Sequence, residues 1–515
     1  MIRFTYKKDH PLRIYMEGDP VELERIVQTL RSMFYEETEY SKDEDVDNIV
    51  FSDGESLYFP RGLYHIILGI LSRVKIDVAP DSYVLPKEVI QCQSIDPDIL
   101  SGITLRPYQV DAANAALSHK YGIIQVSTGG GKTEIVLAML RYLMQSTDPG
   151  NFIVCVPSTK LMYQTYDRAL SRGIDDTDIS ILGDSNRLDT SKRVCIATVQ
   201  TLVRRLESEE YREWFNNLKM FVMDEAHHCS ARTFFTVVDA LHAEYTIGVT
   251  AEPFYNDATH KVQDLIVRGT LGSILYRILV PQLVELGYLS KPYLISFNSQ
   301  STKSHLYNSI NWKVVYKELI IENPLRNALL IDIADALVHI GKNPLVLISQ
   351  IKHGEFLSSE ISKRGHTVAM MTGGQEVAIY YDGQIIEERV DRDGTTAREF
   401  TDGIIDVLIG TSVLDEGADI PSLSSVILAG GGKSPLKVVQ RVGRGLRPKK
   451  GDNTTWIIDF LDNFNVVTKS HYKKRHEVLM QLGMPSYQVL DTKNLIDTME
   501  QYKSILVNTA GSSDN

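Results

Sequence analysis

Cysteine is scarce. The chain has four in 515 residues, Cys92, Cys155, Cys195 and Cys229, and no Cys-x-x-Cys pair. That spacing argues against a disulfide framework or a structural zinc site and fits a reducing compartment. Long apolar runs are also missing. None approaches the roughly 20 residues needed to span a bilayer, and the first stretch, MIRFTYKKDHPLRIYMEGD, has neither an apolar h-region nor a cleavage signal. Nor is there an excess of positive charge: 54 Lys and Arg face 66 Asp and Glu, a formal net charge of −12. A uniformly basic nucleic-acid coat is thereby excluded, whereas a local positive cleft is not. Low-complexity tracts and strict repeats are absent as well. The expectation is a soluble, cytoplasmic protein with no membrane partner.

The remaining composition is ordinary for a globular chain, with 43% apolar and 23% charged residues. Its length calls for two to four domains. Residues 1–95 read as a small α/β unit: a strand in LRIYMEGD, a helix over PVELERIVQTLRSMF, two β-rich runs around Asp53-Gly54, and a helix over RGLYHIILGILSRV. From 96 to 290, buried β-branched runs (YGIIQVS, NFIVCVPS, RVCIATV, MFVMDE, TIGVTA) alternate with helices, the signature of a parallel doubly wound sheet. A second series (NPLVLIS, HTVAMMTG, VLIGTS, SVILAG, TTWIID) occupies 291–480, and 481–515 reads as a helix and a frayed tail. The fold class is therefore α/β, with two tandem parallel-sheet domains behind a small amino-terminal one.

The sharpest local signal is Ser127-Thr128-Gly129-Gly130-Gly131-Lys132-Thr133, set between a strand and a helix. Consecutive glycines let backbone N–H groups approach a phosphate, and the helix amino terminus adds partial positive charge. In such a loop Lys132 reaches the β- and γ-phosphates and the Thr133 hydroxyl ligates Mg²⁺. The strict form of the motif wants glycine at 126, where this chain has Val126. Asp224-Glu225-Ala226-His227 follows the apolar run Met220–Met223. Carboxylates at the carboxyl end of a buried strand sit where open α/β sheets build sites. There Asp224 can hold Mg²⁺ and Glu225 can deprotonate a water. His227, His228 and Cys229 are adjacent and cannot converge on one tetrahedral ion without an unusual backbone. Arg441, Arg444 and Arg447 stand among glycines in QRVGRGLR. They are either a solvated helix face or a pair of arginine fingers, and the glycines disfavour the helix. Gly410 to Asp419, after the strand DVLIG, reads alone as a turn.

Taken in order, Gln109, Gly-Lys-Thr, Asp-Glu-Ala-His, Thr250-Ala251, Gly410-Thr411…Glu416-Gly417 and Gln-Arg-x-Gly-Arg-x-x-Arg resemble the superfamily 2 helicases. The likeness is greatest to phage UvsW-type branch-migration helicases and their XPB- and RadD-like relatives, and it covers residues 100–475. It implies two RecA-like domains and an ATP-dependent, Mg²⁺-requiring DNA helicase or translocase that acts on forks, Holliday junctions, D-loops or R-loops. The family pattern assigns Gln109 to the adenine, with Arg106 beside it among the ATP-binding residues, and Thr128 to Thr133 to the phosphates. It assigns Pro157, Ser158, Thr198, Gln200, Ser349 and Thr411 to the nucleic-acid backbone. Gly417 and Asp419 touch ATP. Asp224, Glu225 and His227 form motif II, and Gln440, Arg444 and Arg447 form motif VI, with the last two as fingers. The amino-terminal unit is similar, less specifically, to the small DNA-binding domain of UvsW-like proteins. A monomer is implied, in the host cytoplasm if the chain is of phage origin.

The chain departs from the pattern in three places. Glu252 stands where the family has Thr or Ser, and a following arginine is missing, which bears on the role of motif III, Gly248-Val249-Thr250-Ala251, in coupling hydrolysis to movement. The segment 378–394 is longer than usual, and Asp382-Gly383 between Tyr-Tyr and Ile-Ile marks an inserted hairpin, either a strand-separating wedge or a surface loop. Arg204-Arg205 and Lys473-Lys474-Arg475 are candidate phosphate contacts or ordinary solvated charges. The competing classes are an RNA helicase of the Asp-Glu-Ala-His type, which normally carries large carboxyl-terminal domains, a double-stranded DNA translocase that parts no strands, and a scaffold with a vestigial ATP site.

Overall fold

The computed structural model describes residues 2–7, 10, 12–35, 50–52, 56–79, 93–146, 150–225, 231–254, 261–372, 376–391, 394–411, 423–432, 446, 449, 453–481, 486–489 and 497. The chain divides into two compact units, residues 1–127 with 131–278, and residues 279–515 with 128–130. Among the described residues no helix is long and apolar enough to cross a membrane.

The first unit begins with a four-stranded antiparallel sheet, β1 (Arg3–Tyr6), β2 (Arg13–Glu17), β3 (Phe51–Ser52) and β4 (Leu57–Pro60), in the order β1-β2-β4-β3. Alternation sets Phe4, Ile14, Met16 and Phe59 inward against Ile26, Leu30, Ile67 and Leu71 from the helices Pro20–Tyr35 and Tyr64–Arg73. The other face carries Tyr15, Tyr58 and Phe51, and it is covered rather than exposed. Phe51 stacks on Phe235 with ring centroids 4.7 Å apart. Arg13 donates from Nε and Nη2 to Asp239 at 2.6–3.1 Å. Gly62 lies so close to the Arg268 carbonyl that a Cβ there would sit 1.9 Å from its oxygen. The small sheet is thus an integral part of this unit, and these rings are not available as a base-stacking platform.

The rest of the unit is a seven-stranded, all-parallel sheet. It comprises β5 (Tyr121–Val126), β6 (Asn151–Val156), β7 (Ile179–Leu182), β8 (Val194–Thr198), β9 (Leu218–Asp224), β10 (Tyr245–Thr250) and β11 (Ile274–Ile278), in the order β11-β5-β10-β9-β6-β8-β7. The central strands are buried on both faces, which explains their non-alternating apolar sequences. The two strands not anticipated from the sequence, β7 and β11, lie at the sheet edges, where the pattern is weakest.

The second unit holds β12 (Lys291–Asn298), β13 (Pro344–Leu347), β14 (Val368–Met371), β15 (Glu376–Tyr381), β16 (Gln384–Val390), β17 (Val407–Gly410), β18 (Ser425–Ile427), β19 (Thr454–Leu461) and β20 (Ser486–Val489). Their order is β16-β15-β14-β17-β13-β18-β19-β12-β20, parallel except for the β14-β15-β16 meander. Asp382 and Gly383 both adopt positive φ (49° and 78°), as the two-residue turn requires. The inserted hairpin does not stand free. It extends the sheet edge, and its turn is tied to the helix Ile351–Ser362, with Ser359 Oγ donating to the Gly383 carbonyl at 3.1 Å and Gly383 N–H donating to Ser362 Oγ at 3.0 Å. Glu387, Glu388 and Arg389 place charge along the outermost strand, which discourages edge pairing.

Candidate active site

The phosphate loop is built by local geometry. β5 ends at Val126, and the helix Lys132–Met144 begins directly after Gly131. Gly129 and Gly131 have φ of 82° and 77°, a conformation that disfavours any side chain with a Cβ. Gly131 is further constrained, because a Cβ there would lie 2.3 Å from Gln109 Nε2. Gln109 is itself locked. Its Oε1 accepts from the Arg106 N–H at 2.9 Å, at the start of the helix Pro107–His119, and its Nε2 donates to the Gly131 carbonyl at 3.4 Å. The segment 106–109 and the glycine loop are therefore bonded to one another through Gly131.

Lys132 opens its helix with its ammonium 2.5 Å from Glu225 Oε1. Glu225 follows β9 in a left-handed conformation, φ 50°, a strained choice for a residue with a side chain. It is held there by its own N–H, which donates to the Val249 carbonyl at 2.9 Å and to Asp224 Oδ1 at 3.0 Å. Thr250 Oγ1 donates to Glu225 Oε2 at 3.3 Å and accepts from the Glu252 N–H at 3.2 Å. The end of β10 is thereby bonded to the motif II carboxylate.

Three carboxylates, Asp224, Glu225 and Glu252, surround one lysine. Burial, with the Glu225 charge, pushes Asp224 from its ordinary 3.8 up to about 7, against the pull of Lys132. The same causes push Glu252 from 4.5 up to about 7. A hydroxyl at Thr133 and a carboxylate at Asp224 are hard oxygen donors of the kind Mg²⁺ takes, and a cation there would relieve the crowding. The folded state thus binds these protons more tightly than the unfolded chain. Their stabilising contribution is complete below about pH 4 and is lost as pH rises through 7. Without divalent ions, the difference in melting temperature between the parent and Asp224→Asn should shift steadily against the parent from pH 5.5 to 8, and Mg²⁺ should reverse that trend. A difference independent of pH would contradict it.

The expected nucleic-acid residues fare unevenly. Ser158 caps the helix Thr159–Ser171, its hydroxyl accepting from the Leu161 N–H at 3.4 Å, and Pro157 precedes it, partly exposed. Thr198 is buried, with its hydroxyl 3.0 Å from that of Thr201, so its side chain is turned inward, while Gln200 is exposed. Ser349 is exposed after β13, and Thr411 is partly exposed after β17. Among the basic runs, Arg204 and Arg205 are exposed, as are Lys473 and Lys474. Arg475 corrects the expectation. It is 2% exposed, clamps Asp459 through Nε and Nη2, and donates from Nη1 to the Gly432 carbonyl at 2.8 Å. Charge runs look alike in sequence whether they face water or a buried carboxylate. His227, Gly417, Asp419, Gln440, Arg444 and Arg447 lie outside the described residues, and Thr128 and Gly130 are respectively partly exposed and buried. One element was not anticipated: Glu134, in the first turn after Lys132, is buried and accepts from Arg168 Nε at 2.6 Å, with Arg172 also within 3.7 Å. It joins the phosphate-loop helix to the helix that Ser158 caps.

Two family profiles match the chain, Type III restriction enzyme, res subunit, over residues 102–255, and Helicase conserved C-terminal domain, over residues 330–449. The chain is 26% identical over 395 residues to "DNA 3'-5' translocase XPB2" of Sulfurisphaera tokodaii, covering 71% of this chain and 85% of that protein. It is 23% identical over 381 residues to "ATP-dependent DNA helicase uvsW" of Enterobacteria phage T4, covering 72% and 71%. Among solved structures, Saccharomyces cerevisiae Dbp5 bound to RNA and ADP BeF3 shares the fold, with a TM-score of 0.51 at 16% identity over 78% of this chain and 93% of that one.

Proposed function

The chain belongs to superfamily 2 of the helicases, related to the UvsW and XPB branch, and on that premise we propose that it is an ATP-dependent DNA helicase or translocase that remodels branched DNA. The observation that carries the reading is the bonded cluster of Lys132, Glu225 and Thr250 beside a glycine loop whose φ angles disfavour any side chain. Such a cluster is built to receive a triphosphate, and a scaffold with a dead site has no need of it.

In this reading the glycine loop binds the phosphates and Lys132 leaves Glu225 to neutralise them. Thr133 and Asp224 are the residues that would hold Mg²⁺, which when bound offsets phosphate charge. Glu225, released from the lysine, takes the proton of the attacking water. Thr250 senses the change at Glu225 through its hydroxyl, which supports a coupling role for the motif III position although Glu252 replaces the family's Thr or Ser. Gln109, with Arg106 beside it at the helix start, reads the adenine, and its side chain also ties that segment to the loop through the Gly131 carbonyl. Gln440, Arg444 and Arg447 complete the set, the last two as arginine fingers. Ser158, Gln200, Ser349 and Thr411 hold phosphate and sugar, so base identity matters little.

The DNA assignment rests on the two relatives named as DNA enzymes. ATP turnover and strand separation on single-stranded, forked and four-way DNA, with matched RNA, test it. The expected order is forked and four-way DNA above linear DNA, with RNA ineffective. Stimulation by RNA equal to that by DNA would sink the DNA reading while leaving the ATPase.

A further inference from the structure

In the second unit β12, β13, β17, β18 and β19 run parallel, so the segments after them all emerge along the carboxyl-terminal edge of the sheet. Ser349 follows β13 and Thr411 follows β17 on that edge. β12 lies three strand spacings from β13 in the order β13-β18-β19-β12, about 14 Å away. β12 leads into a loop held stiffly in place. Asn465, buried, points its amide nitrogen at the carbonyls of Leu306, Tyr307 and Ser309 at 2.6–3.1 Å. Its Oδ1 accepts from the Val467 N–H at 2.8 Å at the start of the helix Val466–Gln481. The Val466 N–H adds a bond to the Tyr307 carbonyl at 3.1 Å. Trp312 closes the base of the loop, its ring 4.4 Å from that of His471.

This stiff loop presents large apolar side chains to water: Ile310 is 81% exposed and Tyr307 47%. Val314 and Val466 stand beside them, also exposed. A mobile loop could fold Ile310 away, but this one is pinned on both sides of Tyr307. Rigid apolar exposure of this kind marks an interaction surface. The charge around it names the partner. The nearby carboxylates Glu318 and Glu322 are taken by Lys303 and Lys317. Lys313, next to Trp312, and Lys469, one helical turn after Val466, are exposed and pair with no carboxylate among the described residues. An aromatic ring and an aliphatic wedge flanked by unpaired lysines suit unstacked bases and their phosphates better than an uncharged protein face.

We propose that Tyr307, Ile310, Lys313 and Lys469 form a further binding site for single-stranded DNA, extending the track of Ser349 and Thr411 along the same sheet edge. The site rests on the helicase reading of those two residues. All four side chains are on the surface, so their replacement leaves the core intact. The test uses the full chain, a fluorescent oligodeoxythymidine and a forked duplex. Y307A/I310S should bind the oligonucleotide about tenfold more weakly and part the fork at a clearly lower rate, with DNA-free ATP turnover unchanged. K313A/K469A should lower the slope of log affinity against log salt by roughly 0.7 per lysine. Unchanged affinity, fork rate and salt slope in both variants would overturn the site and leave the patch to a protein partner. If the parent itself shows no DNA-stimulated turnover, the helicase reading fails rather than this extension of it.

Discussion

Lys132→Ala should fold and still bind DNA, yet hydrolyse ATP more slowly by at least about 10²–10³-fold, the cost of removing a positioned charge from a developing anion. Two consequences of the geometry combine. The ammonium stands at the helix start, where the proposed reading places the γ-phosphate, and it is also the partner of Glu225 at 2.5 Å. Its positive charge pulls Asp224 and Glu252 down against burial and mutual repulsion. Removing it leaves three carboxylates crowded together with their counter-charge gone, so the site repels a triphosphate as well as lacking its grip. Folding survives because the pair lies at the carboxyl edge of the sheet, outside the apolar layer of Ile123, Ile153, Phe221 and Met223. Phosphate release with and without DNA, set beside a near-ultraviolet circular dichroism spectrum, decides the matter. A folded variant with the parental rate would remove the phosphate-loop assignment.

How much could be read from the sequence depends on how local each feature is. The glycine loop needs only a strand, three glycines and a helix in succession, so residues 121–144 declare it. Asp224 and Glu225 are legible because a buried strand must end somewhere and these sheets place their chemistry at that end. The central strands of both sheets show themselves through apolar runs. Features joined across the chain were not legible. Arg13 and Asp239 are 226 positions apart, and nothing near Arg13 announces that the small sheet is docked on its neighbour. Arg475 sits in a run of three basic residues whose first two face water, and only the fold brings Asp459 under the third. Glu134 looks like an ordinary helix acid until Arg168 and Arg172 arrive from the next helix. The stiff loop at Tyr307 has no motif at all, because its shape comes from Asn465, which lies far along the chain. Glu252 stands out in the sequence as a departure from the family pattern, but its crowding against Glu225 appears only when β9 and β10 lie side by side.

Glu225→Gln should bind ATP as well as the parent, or better, and hydrolyse it about 10²–10⁴-fold more slowly, the range for losing a general base. Glutamine keeps the length of the side chain and the backbone bonds to Val249 and Asp224 that hold φ at 50°. Its carbonyl oxygen can still accept from Lys132, and the Thr250 hydroxyl can reorient toward the amide, so the shape of the site is preserved. The losses are one negative charge facing the incoming triphosphate and the group placed to take a proton from water. If Glu225 served merely to park Lys132 between cycles, glutamine would do this nearly as well and the rate would hardly move. Nucleotide binding followed by fluorescence, and hydrolysis followed in a single turnover, separate the two roles. Tight binding with stalled hydrolysis identifies the base, and a parental single-turnover rate identifies a parking place. In the first case the variant also becomes a trap, because the protein should stay on DNA for as long as ATP remains uncleaved. Its dissociation from a forked duplex in ATP should then slow in parallel with hydrolysis, whereas without nucleotide it should match the parent.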